Sequence, residues 1–105
     1  MTDITAGSGN VYEDLGYKNP EEARAKATLA RGIYTVIREQ GLTQREAAEI
    51  LGIDQPKVSN LVRGKLRDFS LERLIRFTIA LGNDVRIEVG EHHGNRKGRL
   101  EVAAA

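Results

Sequence analysis

The chain has 105 residues, 40% hydrophobic and 5% aromatic, which suits one small domain and leaves little room for a large catalytic cleft. With 16 basic against 15 acidic residues the net charge is +1, so bulk electrostatics announce no nucleic-acid partner and the placement of the charges is what matters. The absence of cysteine excludes disulfides, thiolate metal ligands and cysteine nucleophiles, and fits a reducing cytoplasm.

The opening "MTDITAGSGN" is rich in Gly, Ser and Thr and reads as a flexible leader over residues 1–10. It lacks the basic and apolar regions of a secretory signal, and no apolar run approaches the roughly 18 residues of a membrane span, so the expectation is a cytoplasmic protein with no membrane partner. Residues 11–90 are expected to form the folded domain and residues 91–105 a flexible tail. No repeat or sustained heptad pattern interrupts this plan.

In "NPEEARAKATLARGIYTVIREQG", Asn19 is placed to cap a helix, Pro20 fits its first position and Glu22 its capping box. Leu29, Ile33, Val36 and Ile37 recur at helical spacing, and Gly41 supplies the stop, so a first helix is expected from about Pro20 to Gln40. Thr43 and Glu46 form a second capping box, opening a short helix in which Ala47, Ala48, Ile50 and Leu51 precede Gly52. Asp54 then caps a third helix, with Pro56 in the first turn, where its missing N–H does no harm. After "GKLRD", Ser70 caps a fourth helix whose Leu71, Leu74, Ile75, Thr78 and Leu81 line one face before Gly82.

Beyond it, "NDVRIEVG" alternates Val85, Ile87 and Val89 with Arg86 and Glu88, the period-two pattern of a strand with one buried face. No second strand is available within the chain, and a lone edge either finds a partner or remains a liability. Pairing with a second copy, through Val85, Ile87 and Val89, is the simplest solution. An edge blunted by Arg86 and Glu88, or packed on the fourth helix without pairing, is the alternative. The expected fold is thus mainly α, with four to five helices and one C-terminal β-strand pairing across a dimer.

Gly52 accounts for the break between the second and third helices: it makes the tight turn that lets them cross steeply, which is a helix-turn-helix. Ala47 and Ala48 are small where the helices must approach, and Leu51, Ile53, Val58 and Leu61 are apolar where the junction must be sealed.

From Thr43 to Gly64 the chain resembles, without a gap, the helix-turn-helix of the lambda-repressor and Cro superfamily, the XRE-type regulators. The likeness rests on Gln44 opening the second helix, small Ala48, Gly52 four residues on, Val58 and Leu61 in the third helix, and the closing "RG". It implies a lambda repressor-like domain whose third helix lies in the DNA major groove while the second crosses the backbone. The residue types suit those jobs. Gln55 and Asn60 can pair with adenine, Lys57 can donate to guanine, and Ser59 can bond to several bases. Thr43, Gln44 and Arg45 at the start of the second helix, with Arg63 and Lys65 farther on, are candidates for phosphate oxygens. Between Thr43 and Arg67 five basic residues face three acidic ones, a local excess that the whole-chain balance hides.

More specifically, Asn10 to Val89 looks like the small XRE-type proteins related to HigA-type antitoxins, with their acidic lead-in before the first helix. That resemblance implies a homodimer on a palindromic operator in double-stranded DNA. Where a toxin gene adjoins, it also implies neutralisation of a RelE/HigB-like ribosome-dependent mRNA endonuclease. The start of the chain through Tyr17 is a candidate contact for such a toxin, because a tail ordered on binding can cover a large surface; an ordinary leader is the alternative. Two further readings stay open: a free-standing small XRE-type transcription regulator, and a protein-interaction domain in which the polar face of the third helix is simply solvated. His92 and His93 have no partners at metal-ligand spacing and read as solvated. No catalytic triad, phosphate loop or carboxylate pair can be assembled, so neither an enzyme nor a cofactor is expected.

Overall fold

A computed structural model describes residues 19–104, so the expected leader and the Tyr17 contact region lie outside the described residues. Within them four helices follow in order: α1 (Pro20–Glu39), α2 (Gln44–Leu51), α3 (Gln55–Val62) and α4 (Leu71–Ala80). Each begins where a short polar side chain offers an oxygen to a backbone N–H three residues on. Asn19 accepts from Glu22 at 3.0 Å, Thr43 from Glu46 at 3.0 Å, Asp54 from Lys57 at 2.9 Å and Ser70 from Arg73 at 3.1 Å. At α2 the box is reciprocal, because the Thr43 N–H also donates to the Glu46 carboxylate at 2.9 Å. Every helix is closed by a glycine at positive φ: Gly41, Gly52, Gly64 and Gly82.

The four helices enclose one core. Ala30, Ile33 and Ile37 of α1 meet Ala47, Ala48 and Leu51 of α2, Val58 and Leu61 of α3, and Leu74 and Phe77 of α4. Leu66 and Phe69, in the connection between α3 and α4, complete it. Phe69 and Phe77 pack edge to face, with centroids 5.9 Å apart and planes at 76°, an arrangement that aligns a ring's positive edge with its neighbour's negative face. α1 packs most extensively on α4, and α2 on α3. Fully burying a side chain such as Val58, Leu61 or Leu74 contributes about 1.5–3 kcal/mol, so this shared cluster is what holds two helices as short as α2 and α3 in place.

Three expectations about burial change. Leu29 and Val36 of α1 are only partly buried, and the inner face of that helix is carried by Ala23, Ala30, Ile33 and Ile37. Ile50 of α2 is exposed. On α4, Phe77 joins Leu74 in full burial, while Leu71, Ile75, Thr78 and Leu81 are half-buried. Residues 83–93 carry no regular secondary structure, and no strand is present among the described residues. Val85 is half-buried there, but Ile87 and Val89 are 74% and 95% exposed. A strand exists only through a ladder with a neighbour, and a single chain offers this segment none.

Candidate nucleic-acid interface

Gly52 sits at φ 71°, ψ 32°, the left-handed region, and its N–H and that of Ile53 both donate to the Ala48 carbonyl, at 2.8 and 3.1 Å. These bonds end α2 and swing the chain directly into the Asp54 cap of α3. Ala47 and Ala48, both buried, keep the inner side of the turn small. α3 is thereby fixed against the core by Val58 and Leu61, and the rest of its surface is presented outward.

At about 100° per residue, the direction opposite Val58 and Leu61 belongs to Pro56, Ser59, Asn60 and Arg63. Ser59 and Asn60 are half-buried at the foot of this face and Arg63 is exposed at its end. Gln55 is exposed and lies at one edge of the face, in the first turn. Lys57 is exposed too and falls on the other flank, where it lines an open hollow with Gln55, Arg45, Glu49, Asp54 and Arg73. The sequence-predicted residues Ser59, Asn60 and Arg63 therefore share the outward face, and Gln55 stands at its edge, lining the same hollow as Lys57. Pro56, not chosen from the sequence because it carries no donor, occupies the middle of the outward face.

At the start of α2, the capping box uses the Thr43 N–H and the Glu46 N–H internally, and the Ala47 N–H returns to the Thr43 carbonyl at 2.9 Å. The N–H groups of Gln44 and Arg45 have no acceptor among the described residues, and both residues are exposed. Two outward N–H groups at the positive end of a helix dipole, beside the Arg45 cation, favour an anion such as a phosphate. The start of α3 differs: Pro56 has no N–H, and the Asp54 carboxylate caps Lys57, so its negative charge stands where a phosphate would otherwise sit. The two helices thus offer different chemistry, α2 a charge-seeking end and α3 a row of amide and hydroxyl groups.

Arg45, Lys57, Arg63, Lys65 and Arg67 are exposed, and none makes an ion pair among the described residues. The ion pairs present there lie elsewhere, Arg76 with Glu72 at 3.0 Å and Arg86 with Glu88 at 2.8 Å. One cation was missed by sequence reasoning. The Arg73 guanidinium lies 5.5 Å and 5.4 Å from the ring centroids of Phe69 and Phe77, which holds it against the hollow below the turn. The signal was the spacing of Arg73 and Phe77, four apart on one face of α4, with Phe69 just before the Ser70 cap.

A short helix closed by a left-handed glycine leads into a second short helix held by Val58 and Leu61 with its polar face outward, and residues 11–90 match the family model for a helix-turn-helix domain. A solved structure named as an XRE family transcriptional regulator is 43% identical, with a TM-score of 0.73, over 81% of this chain and 97% of that one. The chain belongs to the XRE-type helix-turn-helix family. No curated protein matches it. In protein–DNA recognition generally, phosphate contacts position a domain and base-edge contacts read sequence. The family is one of DNA-binding transcription regulators. No helix among the described residues is long and apolar enough to cross a membrane.

Proposed function

We propose that this XRE-type protein is an autorepressor that binds its own operator as a homodimer and serves as the antitoxin of a HigBA-type toxin–antitoxin operon. One observation carries the DNA-binding part: Gln55, Ser59 and Asn60 on α3 and Arg63 at its end lie beside cations that form no ion pair among the described residues. Gln55 and Asn60 hydrogen-bond base edges, Ser59 adds a hydroxyl, and Lys57 reaches a guanine only if its long stem bends back from its flank. Thr43, Gln44, Arg45, Arg63 and Lys65 hold the phosphate backbone on either side. Two subunits place their α3 helices in successive major grooves about 34–36 Å apart, which makes the operator a palindrome.

The antitoxin part rests on the likeness of Asn10 to Val89 to HigA-type proteins, and the toxin it implies is a RelE/HigB-like mRNA endonuclease. A second reading, a free-standing transcription regulator without a toxin, is favoured by the name of the 43% identical structure, which is that of a transcriptional regulator. A mobility-shift assay on the gene's own promoter tests the shared core of both readings. Retarded promoter DNA, competed poorly by random DNA, is the expected result, and equal competition by both refutes base reading. Rescue of growth when the chain is co-expressed with the product of an adjoining small reading frame separates the two.

A further inference from the structure

The exposed large hydrophobic side chains among the described residues are Tyr34, Ile50, Ile79, Ile87, Val89 and Leu100, and four of the six follow residue 78. The C-terminal side of the domain is thus where apolar surface lacks a cover. Resting on the homodimer reading above, we infer that what covers it is the same segment of a second copy, in one particular register: two antiparallel strands related by a two-fold axis that passes through Ile87.

Self-complementarity selects that register. In an antiparallel pair, residues directly opposite share a face of the ribbon, and a slip by one residue moves a strand's whole apolar set to the other face. With the axis at Ile87, Ile87 faces its own copy and Val85 faces Val89 of the other chain, so one side of the ribbon is apolar throughout. On the other side Arg86 faces Glu88 and Glu88 faces Arg86, two opposite-charge pairs from a single sequence pair. Moving the axis to Arg86 sets Arg86 against Arg86 and Asp84 against Glu88; moving it to Glu88 sets Glu88 against Glu88. Placing it between residues opposes apolar to charged side chains. An axis at Val85 keeps Asp84 near Arg86 but faces Ile87 with Asn83 and draws in Gly82, which closes α4. Only the Ile87 register satisfies both faces.

In the single chain the same two charges already meet, Arg86 to Glu88 at 2.8 Å, and both side chains are well exposed. Residues two apart share one side of a strand, so this contact leaves both groups on the side from which the partner's opposite charges approach. The half-buried Val85 anchors the segment at its start, while Ile87 and Val89 stand in solvent until the second copy arrives.

The chain contains no cysteine, so a single introduced thiol reports on one position without background. Ile87→Cys in the full chain, gently oxidised and run on a non-reducing gel, is expected to give a covalent dimer. Arg86→Cys alone is expected to give little, and an equimolar mixture of Arg86→Cys with Glu88→Cys is expected to give the cross-link. Sedimentation of charge variants supplies a second readout: Arg86→Glu should weaken the dimer by about tenfold or more, and Arg86→Glu with Glu88→Arg should return it to within about threefold of wild type. Both positions are exposed, and circular dichroism verifies that each variant is folded. A dimeric wild type in which Ile87→Cys fails to cross-link and the double reversal fails to rescue overturns this register while leaving the homodimer standing. A wild type that sediments as a monomer at every concentration overturns the homodimer reading and this register with it.

Discussion

Replacing Gly52 isolates the turn between α2 and α3, because a methyl group added there meets no heavy atom within 4 Å. The expected cost is therefore backbone strain alone, with no contribution from a clash. At φ 71°, ψ 32° an L side chain crowds its own carbonyl, which costs about 1–2 kcal/mol for Gly52→Ala. Gly52→Val adds the restriction of a β-branched side chain and should reach about 2–3 kcal/mol, the upper part of the range for strained backbone. Gly52→Asn should cost least, since a short polar side chain tolerates this region. For a domain of this size each kcal/mol lowers Tm by about 4–8 °C, so the order Gly, Asn, Ala, Val is readable in thermal melts, with urea titrations giving the free energies. DNA affinity measured cold, where all four proteins remain folded, should change much less than stability. Equal melting of the Gly52→Ala and wild-type proteins would mean that residue 52 does not hold a left-handed conformation, and the account of the turn would be lost.

The contacts on DNA should divide by kind. Gln55→Ala or Asn60→Ala should cost about 1–3 kcal/mol on the operator and little on random DNA, whereas Arg63→Ala should weaken both alike and reduce the salt slope by about one unit per contact removed. Titrations on both DNAs at several salt concentrations check this, and an unchanged ratio of operator to random affinity in Gln55→Ala and Asn60→Ala rules out base reading by α3. Thr43→Ala removes the hydroxyl that accepts from the Glu46 N–H at 3.0 Å and should cost about 1 kcal/mol in urea unfolding; no loss would mean that water replaces the cap fully. On the antitoxin reading, a chain beginning at Asn19 should keep operator affinity and lose toxin affinity in calorimetry, and full toxin affinity would place that contact elsewhere than the start of the chain.

What the sequence made legible is largely what is local. Asn19, Thr43, Asp54 and Ser70 could be named as caps because a cap and its N–H lie three residues apart, and the geometry needs nothing from the rest of the chain. Gly52 was legible for the same reason. Leu66 and Phe69 were not, since a connection has no period against which an apolar residue stands out, and their burial depends on how α3 and α4 meet over α1. The exposure of Ile50 was not legible, because an eight-residue helix gives too few turns to define its stripe: Ala47, Ala48 and Leu51 set the inner direction, and Ile50 falls outside it. Lys57 was chosen by residue type, and the flank it occupies follows only once Val58 and Leu61 fix the rotation of α3. The segment around Ile87 is the extreme case, for its conformation depends on a second chain.

These pieces bear on one another through the size of the reading surface. α3 has eight residues, of which its outward face uses only a few, so on the proposed reading a single copy discriminates among sequences by only a few base contacts. The near-neutral chain, with 16 basic against 15 acidic residues, supplies no strong overall field to compensate. Joining two copies makes the second half-site encounter intramolecular, at an effective concentration that depends on whether the spacing between the two α3 helices suits the groove repeat. On the proposed arrangement two small features then govern operator recognition from a distance. Gly52 sets the angle at which α3 leaves the body, and the register about Ile87 sets how far apart the two α3 helices stand. A one-residue slip at the strand would shift the half-sites out of phase while leaving every contact within each domain intact, which is why charge pairing between Arg86 and Glu88 matters for DNA although neither residue touches it.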